Sequence, residues 1–315
     1  MTEQPHQLAD ACIEHIRYAL GEPRTAWVNS LIRLVFGRAA LRFAALVVDI
    51  DREIGERGLA AGARRILPSF VASHEATGAE RIPSTGPLLI VANHPGSYDA
   101  VAVMAHVERP DLKFVVREVG LFQRLENLSG HAIFVPGGKN VRRRMRPMRE
   151  CIRHLESGGA LLIFPRGRIE PDPDISPGVE PEFEEWLRSA AMLTDRVPET
   201  RVIVAITGGV IARSAMRNPI TWFRRSPGAR QRLAFMYQIF RQALAGKELF
   251  GLTARVTFGD VFMASSCSDV TATVEASARR TLARHIALPS PPDLAQSTRA
   301  SRTSVGTKTA EISSS

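Results

Sequence analysis

The stretch LLIVANHPGSYDAVAV, from Leu88 to Val103, decides the architecture. Its first five residues are an uninterrupted apolar run, the pattern of a strand buried on both faces. Asn93 and His94 end the run, Pro95-Gly96 makes a turn, and Ser97 stands where a helix N-cap belongs. Strand, tight turn and helix in succession are the opening of a βαβ unit and imply a mostly parallel sheet. His94 then sits at the carboxyl end of a strand, where α/β proteins place their ligand sites. Asp99 falls in the first turn of the following helix. Five residues apart across a tight turn, the two side chains can meet. The carboxylate can then fix the imidazole tautomer and stabilise the imidazolium. That makes His94 a candidate general base and Asp99 its orienter. The alternative is a loop histidine and an ordinary acid at a helix N-terminus.

The same texture continues outward. Short apolar runs at Pro87–Asn93, Lys113–Arg117, His131–Pro136, Ala160–Pro165, Arg201–Thr207 and Leu252–Phe258 read as strands. Between and after them, Ser97–Val107, Val141–Ser157, Pro181–Thr194, Arg230–Ala245 and Ser268–Ala287 read as helices. Residues 1–80 carry alanine, leucine and arginine at helical spacing and read as a helical N-terminal region. Residues 81–287 form the α/β domain, with helices flanking the sheet. From Leu288 the chain turns to Ser, Thr and Pro, the composition of a disordered tail over 288–315.

A second segment, GGALLIFPRGRIEPDPD from Gly158 to Asp174, ends another strand at Phe164-Pro165 and opens into Arg166-Gly167-Arg168. Two guanidiniums flanking a glycine suit a phosphate cradle. The alternative is a surface loop whose arginines pair with Glu170, Asp172 or Asp174.

Together these segments resemble the glycerophospholipid acyltransferase family, which includes the lysophosphatidic acid acyltransferases. The family's N-H-x4-D block is matched by Asn93-His94-Pro95-Gly96-Ser97-Tyr98-Asp99. Its second block resembles Gly130–Pro136, its F-P-E-G-T-R block is matched by Phe164-Pro165-Arg166-Gly167-Arg168-Ile169, and its fourth resembles Arg201–Ile206. The resemblance covers residues 80–210. This sequence departs from it at three places. Arg166 replaces the motif glutamate, with Arg168 one place before the usual arginine. Pro136-Gly137-Gly138 follows the second block, leaving Lys139 as the nearest base. The proline usual in the fourth block is missing.

The resemblance implies transfer of a fatty acyl group from acyl-CoA or acyl carrier protein to a hydroxyl of a lipid acceptor. His94 and Asp99 are then catalytic, and Lys139, Phe164, Pro165, Arg166, Gly167 and Arg168 bind substrate. Neither a metal nor a bound cofactor is implied, the thioester being a co-substrate. Amides near Pro95–Gly96 or Gly167 are the expected oxyanion donors. The basic residue at 166 leads us to expect an acceptor other than lysophosphatidate. A catalytically silent lipid-binding relative is the second possibility.

Charge narrows the partners. The formal net charge is +9, concentrated in two stretches. Val141–Glu156 holds six arginines against two glutamates, and Ile211–Arg232 holds six arginines and no acid. Localised positive charge favours an anionic partner, here an anionic membrane surface. With three tyrosines and three tryptophans, no stacking stripe accompanies the arginines, so nucleic acid is not expected, although a basic nucleic-acid-binding protein stays a minor alternative. Trp27–Ile50 is the most apolar stretch, but Arg33, Arg38 and Arg42 interrupt it. It suits a helix lying along a bilayer or packed in a core, not one that spans. The start of the chain has no basic, apolar leader. A cytoplasmic protein, peripheral on the inner face of the membrane, is the expectation. Three scattered cysteines without a C-x-x-C indicate neither a thiolate zinc site nor a disulfide framework.

Overall fold

The structure, a computed structural model, describes residues 3–19, 25–96, 98–138, 141–176 and 178–289. The helical spacing near the start produces α1 (Glu3–Ala19), the long α2 (Ala26–Arg57) and α3 (Leu59–Ile66). Gly58, at φ 87°, separates α2 from α3 in a backbone conformation that favours glycine.

The α/β part then runs β1 (Ser73–Thr77), β2 (Leu88–Ala92), α4 (Tyr98–Met104), β3 (Lys113–Arg117), α5 (Gly120–Gln123), α6 (Glu126–Gly130), β4 (Ala132–Val135) and α7 (Val141–Glu156). It continues through β5 (Ala160–Ile163), α8 (Leu187–Thr194), β6 (Arg201–Gly208), α9 (Arg213–Met216), α10 (Pro227–Ala245), β7 (Thr253–Phe258), β8 (Phe262–Met263) and α11 (Val270–Ala287). Pro227 opens α10 at a position where a missing N–H costs nothing, and Gly246 closes it in the left-handed conformation. The Asp269 side chain caps α11 by accepting from the Ala272 amide.

One sheet joins the strands in the order β1-β7-β6-β2-β5-β3-β4, with β8 beside β6. Strands β2 to β6 all run parallel. β7 and β8 pair with β6 antiparallel, and β1 lies parallel to β7 at the edge. The fold is therefore α/β, with a mostly parallel sheet flanked by helices and a helical segment before it.

Every side chain of β2 is fully buried, because its two faces serve two layers. Leu88, Ile90 and Ala92 pack with α2, α3, α4 and α10, whereas Leu89 and Val91 pack with α7, α8 and α11. Each large apolar side chain contributes about 1.5–3 kcal/mol by leaving water. Ile50 and Ile54 of α2 join the first of these cores, so the second half of that helix is continuous with the sheet's own packing. A smaller cluster ties α1 and the first half of α2 to Leu121 and Leu125.

Three differences from the sequence expectation have physical causes. β1 lies inside the stretch read as helical; its residues Ser73-His-Glu-Ala-Thr77 alternate in exposure at a sheet edge and lack the apolar signature of a strand. The helix expected over Pro181–Thr194 is split into a two-turn 3-10 segment, Glu180–Glu185, and α8, with Trp186 buried at the junction. Helices α5, α6 and α9 are too short to show a period. The tail beyond residue 289 and Ser97 lie outside the described residues. Among the described residues, no helix is long and apolar enough to cross a membrane.

Candidate active site

The carboxyl ends of β2, β5 and β6 lie side by side, and the loops leaving them converge on one turn. Asn93 extends the ladder after β2 with its side chain. Its Nδ2 donates to the Thr207 carbonyl at 2.9 Å, and its Oδ1 accepts from the Thr207 amide at 2.7 Å. A buried amide side chain thus pairs with both backbone groups of Thr207 and fixes the point where His94 leaves the sheet.

His94 and Asp99 meet as the spacing requires, with Nδ1 2.9 Å from Asp99 Oδ2. Asp99 is completely buried, while about a quarter of the His94 side chain is exposed. The same Oδ2 accepts from the Gly96 amide at 3.0 Å, and Oδ1 accepts from the Ala100 amide at 2.5 Å. An ionised carboxylate is acceptor-only, so Nδ1 carries the ring proton and Nε2 presents a lone pair. Burial alone lowers the imidazole pKa, but the charge and hydrogen bond of Asp99, joined by the charge of Glu170, outweigh it and raise it above 6.5. The Phe164 ring packs against the imidazole with centroids 4.8 Å apart, limiting its rotation.

The loop after β5 supplies the rest. Gly167 turns it at φ 64°, and its amide donates to the Phe164 carbonyl at 3.0 Å. Phe164, Pro165 and Arg166 are half-buried, and Gly167 and Arg168 are exposed. Arg166 pairs with Glu182 and Glu185, and Arg168 pairs with Glu185. These partners come from the 3-10 segment before α8, not from the neighbouring acids of the same loop. The Gly96 and Gly167 amides, expected as oxyanion donors, are both engaged within the protein, one by Asp99 and one by Phe164.

The acids of the Glu170–Asp174 segment are turned inward. Glu170 accepts from the His94 amide at 3.2 Å and from Trp186 Nε1 at 2.8 Å, and its own amide donates to the His94 carbonyl at 2.8 Å. Burial pushes its carboxyl up to about 7, against the pull of those donors, Arg166 and His94. Asp172 is fully buried and accepts from the amides of Gly209, Val210, Ile211 and Asp174. Burial, then the neighbouring Asp174, lifts it to about 6. Asp174 pairs with Arg255 and, at 3.3 Å, with His285.

Helix α10 lies along these loops and presents three buried glutamines. Gln231 Nε2 lies 2.7 Å from the carbonyls of Pro95 and of Glu170. Gln238 pairs with the Val210 carbonyl and the Ala212 amide, each at 3.0 Å. Gln242 accepts from the Tyr98 hydroxyl at 2.6 Å and donates to the Phe70 carbonyl at 2.7 Å. Spaced seven and four residues apart, the three share one helix face.

Of the residues singled out in the sequence, His94, Asp99 and Phe164 converge, with Pro165, Arg166, Gly167 and Arg168 on the loop that Phe164 opens. Lys139 lies outside the described residues. Glu170, Asp172 and Gln231 are the residues that sequence reasoning missed. The signal for the two acids was the Glu-Pro-Asp-Pro-Asp run directly after a strand-ending loop, which looks like exposed polar chain. Among the described residues, no group of three or more His, Cys, Asp or Glu side chains suits a metal ion.

Residues 73–206 match the family model described as Acyltransferase. No curated protein sequence gives a significant match. Among solved structures, the chain is similar to the 1-acyl-sn-glycerophosphate (LPA) acyltransferase PlsC from Thermotoga maritima, at 15% identity and a TM-score of 0.46, covering 84% of this chain and 95% of that one.

Proposed function

We propose, from the match of residues 73–206 to the Acyltransferase family model, that the protein moves a fatty acyl group from a thioester to a hydroxyl of a lysolipid. The observation that supports it best is the His94 Nδ1–Asp99 Oδ2 contact of 2.9 Å, with Asp99 fully buried and about a quarter of the His94 side chain exposed. In this proposal Nε2 takes the acceptor's hydroxyl proton as the oxygen attacks the thioester carbonyl carbon. The tetrahedral intermediate collapses, the C–S bond breaks, and the imidazolium returns its proton to the leaving thiolate. Asp99 holds the tautomer before the transfer and the charge after it.

The donor is acyl-CoA or an acyl carrier protein, both anionic. Support comes from α7, which follows the outermost strand β4 at the same carboxyl end of the sheet as His94. Its exposed Arg143, Arg146, Arg149 and Arg153 form a stripe with no ion pair to any described residue. Three of them, with Ile152, line a shallow cleft of about 490 Å³. For the acceptor, the Arg166–Arg168 loop is the proposed contact for an anionic headgroup. Because Glu182 and Glu185 already pair with these arginines, a phosphate there must displace Arg168 from Glu185. The protein works at an anionic membrane surface, as its apolar, arginine-bearing α2 suggests.

The test is thiol release from acyl-CoA and acyl carrier protein, with lysophosphatidate and a set of other lysolipids as acceptors. Acceptor-dependent release that disappears in His94→Ala supports the proposal. Folded wild-type protein that turns over no donor–acceptor pair would overturn it in favour of a silent lipid-binding relative.

A further inference from the structure

From Thr200 to Lys247 the chain contains no acidic residue. Within that stretch, residues 212–230 run out from the carboxyl end of β6 to α10; the outgoing end is held to the loop after β5 and the returning end to the His94 turn. At the outgoing end, a Cβ placed on Gly96 would lie 3.4 Å from Ile211 Cδ1, and the Ile211 amide donates to Asp172. At the returning end, Gln231 Nε2 meets the Pro95 carbonyl at 2.7 Å.

The tip between them, Pro219–Phe223, is a stiff one-turn 3-10 segment. The Asn218 side chain caps it by accepting from the Ile220 amide at 3.1 Å. The buried Thr221 hydroxyl lies 2.8 Å from the Asn218 carbonyl and 3.0 Å from that of Met216. This rigid turn points its apolar side chains away from the protein. Trp222 is 69% exposed, Phe223 85% and Ile220 43%. Around them Arg217, Arg224, Arg225 and Arg232 are exposed, and none pairs with an acid among the described residues. Contiguous exposed aromatic surface of this kind marks an interaction site.

We propose that the 217–225 turn inserts into an anionic lipid bilayer, Trp222 and Phe223 entering the boundary between headgroups and acyl chains while the arginines meet lipid phosphates. Aromatic side chains favour that boundary, and arginine stems can lie along it with their charge in the headgroup layer. An acid-free, arginine-ringed patch suits a negative lipid surface better than another copy of this basic chain, which would bring like charges together. Because the returning end is held to Pro95 by Gln231 and the outgoing end to Asp172 by Ile211, insertion of the tip brings the His94 opening to the surface that holds lipid acceptors. That consequence rests on the acyl-transfer proposal; the binding itself does not.

The experiment is sedimentation of the full chain with phosphatidylcholine vesicles, with and without phosphatidylglycerol. Trp222→Ser/Phe223→Ser is expected to lose about tenfold or more in partition. Arg224→Ser/Arg225→Ser is expected to lose about 30-fold on the anionic vesicles and little on the neutral ones. In a Trp27→Phe background, Trp222 emission should shift to the blue when anionic vesicles are added. Wild-type partition by both double variants, or sedimentation without any shift of Trp222 emission, would overturn the proposal. So would a fall in solution mass of Trp222→Ser/Phe223→Ser with vesicle binding intact, since the patch would then cover a second copy. His94→Ala should bind vesicles as the wild type does, so a failure of the acyl-transfer assay counts only against that proposal.

Discussion

Glu170 and His94 hold each other twice: the Glu170 amide donates to the His94 carbonyl at 2.8 Å, and the His94 amide donates to Glu170 Oε2 at 3.2 Å. The loop after β5 is thereby locked to the turn after β2, seventy-six residues earlier. Arg166 stands where the resembling motif carries a glutamate, yet a buried carboxylate, Glu170, still stands against the His94 turn, four places later in the chain.

His94→Ala should lower acyl transfer by ~10²–10⁴-fold, the range for loss of a general base. Its thermal melting should barely move, because the side chain is partly exposed and its partner keeps two amide donors. Asp99→Asn should cost activity and also about 1–3 kcal/mol of stability, since an amide group must face one of the three donors that Asp99 accepts. Thiol-release rates and melting curves check both, and an active Asp99→Asn would remove the carboxylate from the mechanism.

The pH profile follows from the direction of the His94 shift. A base works unprotonated, and Asp99 with Glu170 raises this imidazole above 6.5. The rising limb of kcat/KM should therefore have its midpoint above pH 6.5. In Asp99→Asn the larger attraction is gone, leaving only that of Glu170 against burial, so the midpoint should fall below the wild-type value. A midpoint that stays in place would show that Asp99 does not set the histidine's charge.

Glu170 makes stability depend on pH. Its carboxyl is raised from 4.5 to about 7 by burial, so the folded chain holds a proton that the unfolded chain releases. The resulting stabilisation is fully present below about pH 4.5 and is lost as pH rises through 7, amounting to about 3 kcal/mol at most. Glu170→Gln removes this dependence, so the variant should appear more costly near pH 4.5 than near pH 8. Chemical denaturation at a series of pH values is the measurement, and a difference independent of pH would contradict it.

Arg166 and Arg168 should behave differently although they share Glu185. Arg166 is largely enclosed, so Arg166→Glu would set a third carboxylate beside Glu182 and Glu185 and lower the melting temperature by several degrees. Arg168 is exposed, and Arg168→Ala should leave melting unchanged. If Arg168 meets the acceptor's anionic group, that variant raises KM for the acceptor with little change in kcat. An unaltered KM would place the headgroup elsewhere.

The parts legible in the sequence were those encoded locally. Leu88–Ala92 announces a central strand because burial on both faces demands an uninterrupted apolar run. His94 and Asp99 are five residues apart, so their meeting follows from one turn. β1 was not legible: at a sheet edge, backbone pairing with β7 holds Ser73–Thr77 with little help from apolar side chains. Nor was the inward turn of Glu170 and Asp172. Their burial is offset by the Trp186 indole and by amides of 209–211, donors that only the completed fold brings near. The pairing of Arg166 and Arg168 with Glu182 and Glu185 was hidden likewise, because the three acids nearer in sequence, Glu170, Asp172 and Asp174, are drawn inward to other partners.

The three glutamines of α10 carry a consequence for how the protein matures. Each saturates main-chain groups on loops it does not belong to, and together they reach the His94 turn, the Glu170 loop, the segment after β6 and the residue closing the helical lead-in. Before this helix docks, those loops have exposed carbonyls and no unique path. Ordering of the His94 turn and docking of α10 should thus be one event, with slow amide exchange appearing in both together. Damage to Gln231, Gln238 or Gln242 would then look like an enzymatic defect, although none of them needs to touch a substrate.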